Sequence, residues 1–130
     1  MFAGDDNAVH VGAWDGEMLV GCATVCADAW AGSPDYPAEP RAWHLRGMAV
    51  DPSRQGSGVG RQVLAAAVDA AREAGAPLIW ANARMSAMAF YEATGWVATG
   101  EEYITAETGL PHRKILLIMS ASARHASESD

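Results

Sequence analysis

Arg54-Gln55-Gly56-Ser57-Gly58-Val59-Gly60-Arg61 is the stretch on which the reading of this chain turns. It follows an apolar segment of strand length, Trp43–Val50, closed by Asp51-Pro52, and it opens a run with helical spacing. In that run Val59, Val63, Ala67 and Ala71 recur on one face, with Leu64 and Val68 beside them. Glycines at a strand-to-helix junction let the backbone come close to a ligand and turn its N–H groups outward. The first turn of the helix adds roughly half a positive charge. Together these make a seat for phosphate groups, and Arg54 and Arg61 flank it. Glycine weakens a helix, so Gly58 and Gly60 in a first turn ask for a reason beyond the turn itself.

Two nucleotide readings of the loop fail on spacing. A Walker loop needs Lys-Ser or Lys-Thr after its last glycine, whereas Arg61-Gln62 follows here. A dinucleotide fingerprint starting at Gly56 or Gly58 needs a third glycine where Arg61 or Val63 stands. The acid that such a fingerprint carries about 20 residues on is also missing, since Trp80 occupies that region.

Working outward, Val9–Trp14 and Met18–Ala27 read as paired strands about an Asp15-Gly16 turn. Residues 28–40 hold three prolines and three acids and read as a loop. The helix runs from Gly58 to Ala74, with Gly75 as its C-terminal stop and Pro77 beyond. Leu78–Ala81 reads as a buried strand, Ser86–Ala93 as a second helix halted by Gly95, and Trp96–Tyr103 and His112–Met119 as closing strands. Only the segments around the helices can be parallel crossovers. The expectation is an α/β (α+β) domain with a mixed, mostly antiparallel sheet and helices packed on it. A single domain over residues 1–130 is expected, with loose ends at 1–7 and 120–130.

Composition removes several classes. Half the residues are apolar and 19% are charged, which excludes a disordered chain. Sixteen acidic and nine basic residues leave a net charge of −7, so nucleic acid is disfavoured as a partner. No apolar run is long enough to span a membrane. The N-terminus lacks the pattern of a signal peptide, so a cytoplasmic location is expected. Cys22 and Cys26 share a strand face at a separation of about 13 Å, too far for a disulfide or a shared metal, and both are expected to be buried thiols. No metal site is expected.

The spacing of Gln55, Gly56, Gly58 and Gly60 resembles the pyrophosphate loop of the GCN5-related N-acetyltransferase (GNAT) family. Leu45-Arg46-Gly47-Met48-Ala49-Val50-Asp51-Pro52 is similar to the central strand leading into that loop. Ala89-Phe90-Tyr91-Glu92-Ala93-Thr94-Gly95-Trp96 is similar to the downstream helix, with Trp96 where phenylalanine is usual, and Gly109-Leu110-Pro111-His112 to the turn before the last strand. The resemblance runs in order from Val9 to Met119. The family fold begins with a further strand and one or two helices, whereas eight residues precede Val9. Another subunit would then supply that wall of the acceptor site, in a homodimer, or the pocket would be open.

The resemblance implies an acetyl-CoA-dependent N-acetyltransferase that acts by direct transfer to a primary amine of a small molecule or peptide. The alternative is a non-catalytic acyl-CoA-binding module or sensor. It also implies a sheet splayed between the Met48–Val50 strand and the strand starting at Leu78. Coenzyme A would bind through Gln55, Gly56, Ser57, Gly58, Val59, Gly60 and Arg61 at its pyrophosphate. Its pantetheine arm would add along Met48, Ala49 and Val50, with Asn82 on its amide, and Gly47 would sit at the bulge that opens the gap. Tyr91 would protonate the leaving thiolate.

The base is open among His44, His112 and the Glu101–Glu102 pair, and an exposed amine of low pKa would need none. His44, Arg46 and Met48 alternate onto one face with Val50, which would turn His44 toward the cleft. His112 begins the last strand, and its neighbour carries Glu101 and Glu102. Trp80 and Trp96, in strands, are expected in the core, and Trp30 could line an acceptor pocket with Tyr36.

Overall fold

The chain doubles back on itself at Gly16, whose φ of 63° lies in the left-handed region that glycine enters at little cost. This pairs β1 (Ala8–Asp15) with β2 (Met18–Ala27) in antiparallel register. The computed structural model describes residues 8–119, so the loose ends expected at 1–7 and 120–130 lie outside the described residues. β3 (Trp43–Val50), α1 (Val59–Glu73), β4 (Leu78–Arg84), α2 (Met88–Ala93), β5 (Val97–Ile104) and β6 (Pro111–Ile118) follow. They form one six-stranded sheet in the order β1-β2-β3-β4-β6-β5. Every neighbouring pair is antiparallel except β3 and β4. Against expectation, Ser86 and Ala87 belong to a 3₁₀ turn, and α-helical structure starts at Met88.

α1 and α2 cover one face of the sheet. α1 buries Val63, Leu64, Ala67, Val68 and Ala71, its apolar stripe. Their partners include Ala23, Val25, Leu45, Ile79, Ala81 and Ile115, with Met88 and Trp96 from the α2 region. Close docking needs Gly21: a Cβ there would lie 2.7 Å from Val59 Cγ1. The helix ends in a Schellman motif, with Ala76 N–H donating to Ala71 O and Gly75 N–H to Arg72 O, both at 3.0 Å.

The opposite face has no helix among the described residues. The 28–42 loop folds back over it, pinned by paired bonds between Trp30 and Glu39 at 2.9 Å and by Ser33 Oγ to Thr99 Oγ1 at 2.7 Å. Beneath it Trp30, Ala42, Leu78 and Leu116 make a second, smaller core. Trp30 is therefore a plug, only 3% exposed, and not the lining of an open pocket. Trp96 lies in the main core as expected but just before β5, whereas Trp80 is half-buried on the loop-covered side. Neither cysteine forms a disulfide; Cys26 is buried and Cys22 only partly so.

One irregularity reorders β3. Val25 pairs with Leu45 but Thr24 pairs with Gly47, so Arg46 is an extra residue. The bulge lies one position before Gly47. It inverts the alternation: Leu45 and Met48 both pack on the helical side, and His44 pairs with Trp80 on the other. The expectation that His44 shares a face with Met48 and Val50 is corrected by this single residue, because an inserted position shifts a period of two out of phase.

Candidate active site

β3 and β4 pair only at Trp43–Ile79 and His44–Trp80. Beyond that point β4 follows β6 for its full length, while β3 stays with β2. The strands therefore diverge, and the Leu45–Val50 edge of β3 has no strand partner on that side. Backbone groups on such an edge need an acceptor and donor from elsewhere. The gap is a cleft of about 470 Å³ whose walls include Gly47, Asn82, Ala83, Arg84 and His112. A second cleft, of about 480 Å³, opens toward α1 and is lined by Gly56, Gly58, Gly60, Arg61 and Phe90. Met48, Ala49, Val50, Gln55, Ala87 and Tyr91 belong to both, so the two are parts of one channel.

The glycine loop stands at one mouth of this channel. Gly56 and Gly58 have φ of 84° and 94°, and Gly58 is the N-cap of α1 with no side-chain hydrogen bond to the helix. A glycine cap leaves the first N–H groups of the helix without a side-chain acceptor, and they project toward whatever occupies the mouth. Gly60 lies over β3; a Cβ there would sit 3.4 Å from Met48 Cε and 3.5 Å from Val50 Cγ2. Arg61 lines the mouth. Arg54 does not flank it: its guanidinium pairs with Asp15 of the β1–β2 hairpin at 2.7 Å. Ser57 turns its hydroxyl to Arg54 O and Val59 packs toward Gly21, and neither residue lines the two clefts.

Tyr91 sits at the junction of the two clefts. Its ring is wedged edge-on between Phe90 and Trp96, with centroids at 5.3 and 5.6 Å, and its hydroxyl lies 3.9 Å from Met48 Sδ. Burial pushes the phenol above its ordinary value of 10.0, so it is a proton donor at neutral pH.

The three base candidates separate. His112 is 8% exposed and lines the gap. Its Nδ1–H donates to Leu110 O at 2.9 Å, which leaves Nε2 as the basic nitrogen. His44 does not line the gap; it stacks on Trp80 with centroids 3.7 Å apart and 3° between planes, and its Nδ1–H donates to Asp28 at 3.2 Å. Burial holds its pKa below 6.5, against the pull of Asp28, so the contact is a hydrogen bond from a neutral ring and not an ion pair. Glu102 is exposed and lines neither cleft, because β5 bulges between Thr99 and Tyr103.

The sequence reading missed what surrounds Asn82. Its Oδ1 accepts from Lys114 Nζ at 2.7 Å and Tyr103 Oη at 2.5 Å, and Lys114 lies 5.6 and 5.1 Å from the Trp80 and Tyr103 ring centroids. Chain order suggests β4 beside β5, but β6 is inserted between them, and that insertion builds this cluster. The lone lysine of the chain was the available signal.

Residues 1–96 match the model of the acetyltransferase (GNAT) family. The chain belongs to the GNAT family. Its fold is that of GNAT structures already solved. Nourseothricin acetyltransferase superposes with a TM-score of 0.70 at 24% identity, over 90% of this chain and 68% of that one. An acetyltransferase from Bacillus subtilis in complex with CoA gives 0.67 at 17% identity, over 88% and 78%. The ribosomal-protein-S18-alanine N-acetyltransferase from Escherichia coli gives 0.66 at 20%, over 88% and 71%. The splayed strands and the glycine loop of this GNAT domain are thus parts of a shared acyl-CoA N-acyltransferase fold.

Proposed function

We propose that this GNAT domain transfers an acetyl group from acetyl-CoA to a primary amine of a small molecule or peptide, directly in a ternary complex. The observation that carries the reading is the channel. An unpaired β3 edge runs from the N-terminus of α1, which has no side-chain cap, to the half-buried Tyr91. The residues present fit coenzyme A: backbone amides of 55–61 with Arg61 for its pyrophosphate, and the edge Met48–Val50 for the pantetheine arm. The coenzyme supplies an activated acetyl thioester.

This chain's residues then have three tasks. The β3 edge orients the donor in the gap and offers N–H groups near Met48 and Val50 to a carbonyl oxygen. His112 Nε2 accepts the proton lost by the amine. Tyr91, kept neutral by burial, gives its proton to the departing sulfur. His44 holds the Trp80 surface beside the gap, and the amide of Asn82 is within the cleft to meet either substrate.

Tyr91→Phe tests the reading. It should lower kcat roughly 100-fold while the Kd for coenzyme A, read by calorimetry, stays within about twofold. Unchanged kcat would remove Tyr91 from the chemistry. Coenzyme binding with no transfer to any amine would favour a non-catalytic acyl-CoA-binding module instead.

A further inference from the structure

The side of the gap away from the helices carries cations without matching anions. Arg84 ends β4, lines the gap, and has no hydrogen-bond or ion-pair partner among the described residues. Asn82 is two positions earlier on the same face, about 7 Å along the strand. Lys114, opposite Asn82 in the β4–β6 register, bonds the neutral Asn82 Oδ1 and lies over two aromatic rings, with no carboxylate of the described residues within ion-pair distance. His112, opposite Arg84, lines the same gap, with its Nδ1 engaged by Leu110 O. The acid bonded in this neighbourhood, Asp28, is taken up by His44. Glu101 and Glu102 are exposed on the bulge of β5 and pair with neither cation.

Such a grouping is unexpected on a chain of net charge −7, where acids outnumber basic residues. A half-buried ammonium loses hydration, and here burial lowers the Lys114 pKa with only a neutral amide as acceptor. An anion placed beside it would restore what burial removes. A guanidinium presents a planar fork that fits a carboxylate through two parallel N–H···O bonds. Arg84 and His112 line the same gap, and Lys114 stands two positions along β6 from His112 on the same face, so a carboxylate held between Arg84 and Lys114 would leave the amine of the same molecule within reach of His112.

We infer that the acceptor is an amine that also carries a carboxylate, of the α-amino acid type, with Arg84 and Lys114 as its anion-reading residues. The inference rests on the transferase reading and narrows it. It also reverses what the acidic composition suggests, which is a cationic acceptor.

The test uses matched probes: glycine, L-leucine and L-phenylalanine, each against its own carboxamide. With acetyl-CoA, kcat/KM for at least one amino acid should exceed that for its amide by about tenfold or more. Arg84→Met and Lys114→Met should collapse this ratio toward one, while the Kd for coenzyme A stays as in the parent protein. A measurement without turnover separates the two readings. Calorimetric titration of the coenzyme-loaded protein with the N-acetyl amino acids and their amides should show the same preference and the same loss in both variants. Carboxylate-selective binding without transfer would uphold Arg84 and Lys114 as anion-reading residues but sink the transferase reading, and the acceptor role with it. Transfer to amides as fast as to acids, or a preference that survives both substitutions, would overturn the inference and leave the transferase reading standing.

Discussion

One face of the sheet is covered by helices and the other by a loop, and the two differ in nearly every physical respect. On the helical face, α1 lays a continuous apolar stripe on β1 to β3, and α2 with Trp96 closes the far side. Most groups there are hydrocarbon, and the polar devices at the rim are the N-terminus of α1 and the Tyr91 hydroxyl. On the loop face, a small apolar plug around Trp30 and Leu116 gives way to a polar and aromatic surface of Trp80, His44, Asn82, Tyr103 and Lys114. The gap between β3 and β4 joins the faces. In the proposed reaction, a donor held from the helical side and an acceptor met on the other would need no moving part to bring them together. On the function proposed above, the lesson is a division of labour: the regular face would give rigidity and a coenzyme seat, and the irregular face would give selectivity.

The sharpest way to break that division is at the coenzyme seat. Gly58→Glu places a carboxylate at the mouth of α1 and forces a side chain onto a backbone with φ of 94°. Coenzyme A affinity should fall roughly 100-fold or more, while far-UV circular dichroism keeps its native shape. Undiminished affinity would show that the main-chain amides of the loop are not the seat.

A second comparison uses adjacent residues of β6 that point to opposite faces. Ile115 and Leu116 are both fully buried, the first under the helices and the second under the loop. Truncation to alanine should cost about 2–5 kcal/mol at either site. Ile115→Ala should lie toward the upper end, because packed helices relax little into a cavity, and Leu116→Ala toward the lower, because the loop can settle. Urea titrations of both variants give the two numbers. Equal costs would mean that the loop is as rigid a cover as the helices.

The smallest expected effect is a pH dependence confined to the loop face. His44 has a folded pKa below 6.5 because it is buried, and the unfolded chain restores its ordinary value. The unfolded state then binds more protons in the window below about pH 7, so this group's contribution is complete above that window and is lost as pH falls through 6.5. His44→Gln should flatten the decline in urea midpoint between pH 7.5 and 5.5. A decline as steep as that of the parent protein would place its origin elsewhere.

The two faces were not equally legible. The stripe Val63, Leu64, Ala67, Val68 and Ala71 is written at helical spacing, and Gly75 marks the helix end, so the helical face could be read residue by residue. The loop face could not. A single extra residue at Arg46 turned His44 away from Met48, and alternation carries no sign of an insertion until the partner strand is known. Trp30 stands in a proline-rich loop, and nothing in its neighbours indicates that the loop folds back to bury it.

By itself the sequence determined what depends on short range. The glycines admit left-handed backbone, α1 must bury one stripe, and the spacing of Gln55, Gly56, Gly58 and Gly60 resembles an acyl-CoA loop. Only the tertiary structure decided what depends on which strands become neighbours. The insertion of β6 beside β4 put Lys114 against Asn82 and His112 opposite Arg84, across more than 25 residues of chain. Hydrogen-bond pairing between strands is satisfied by almost any partner, so local residues leave that choice open, and burial over the whole sheet makes it.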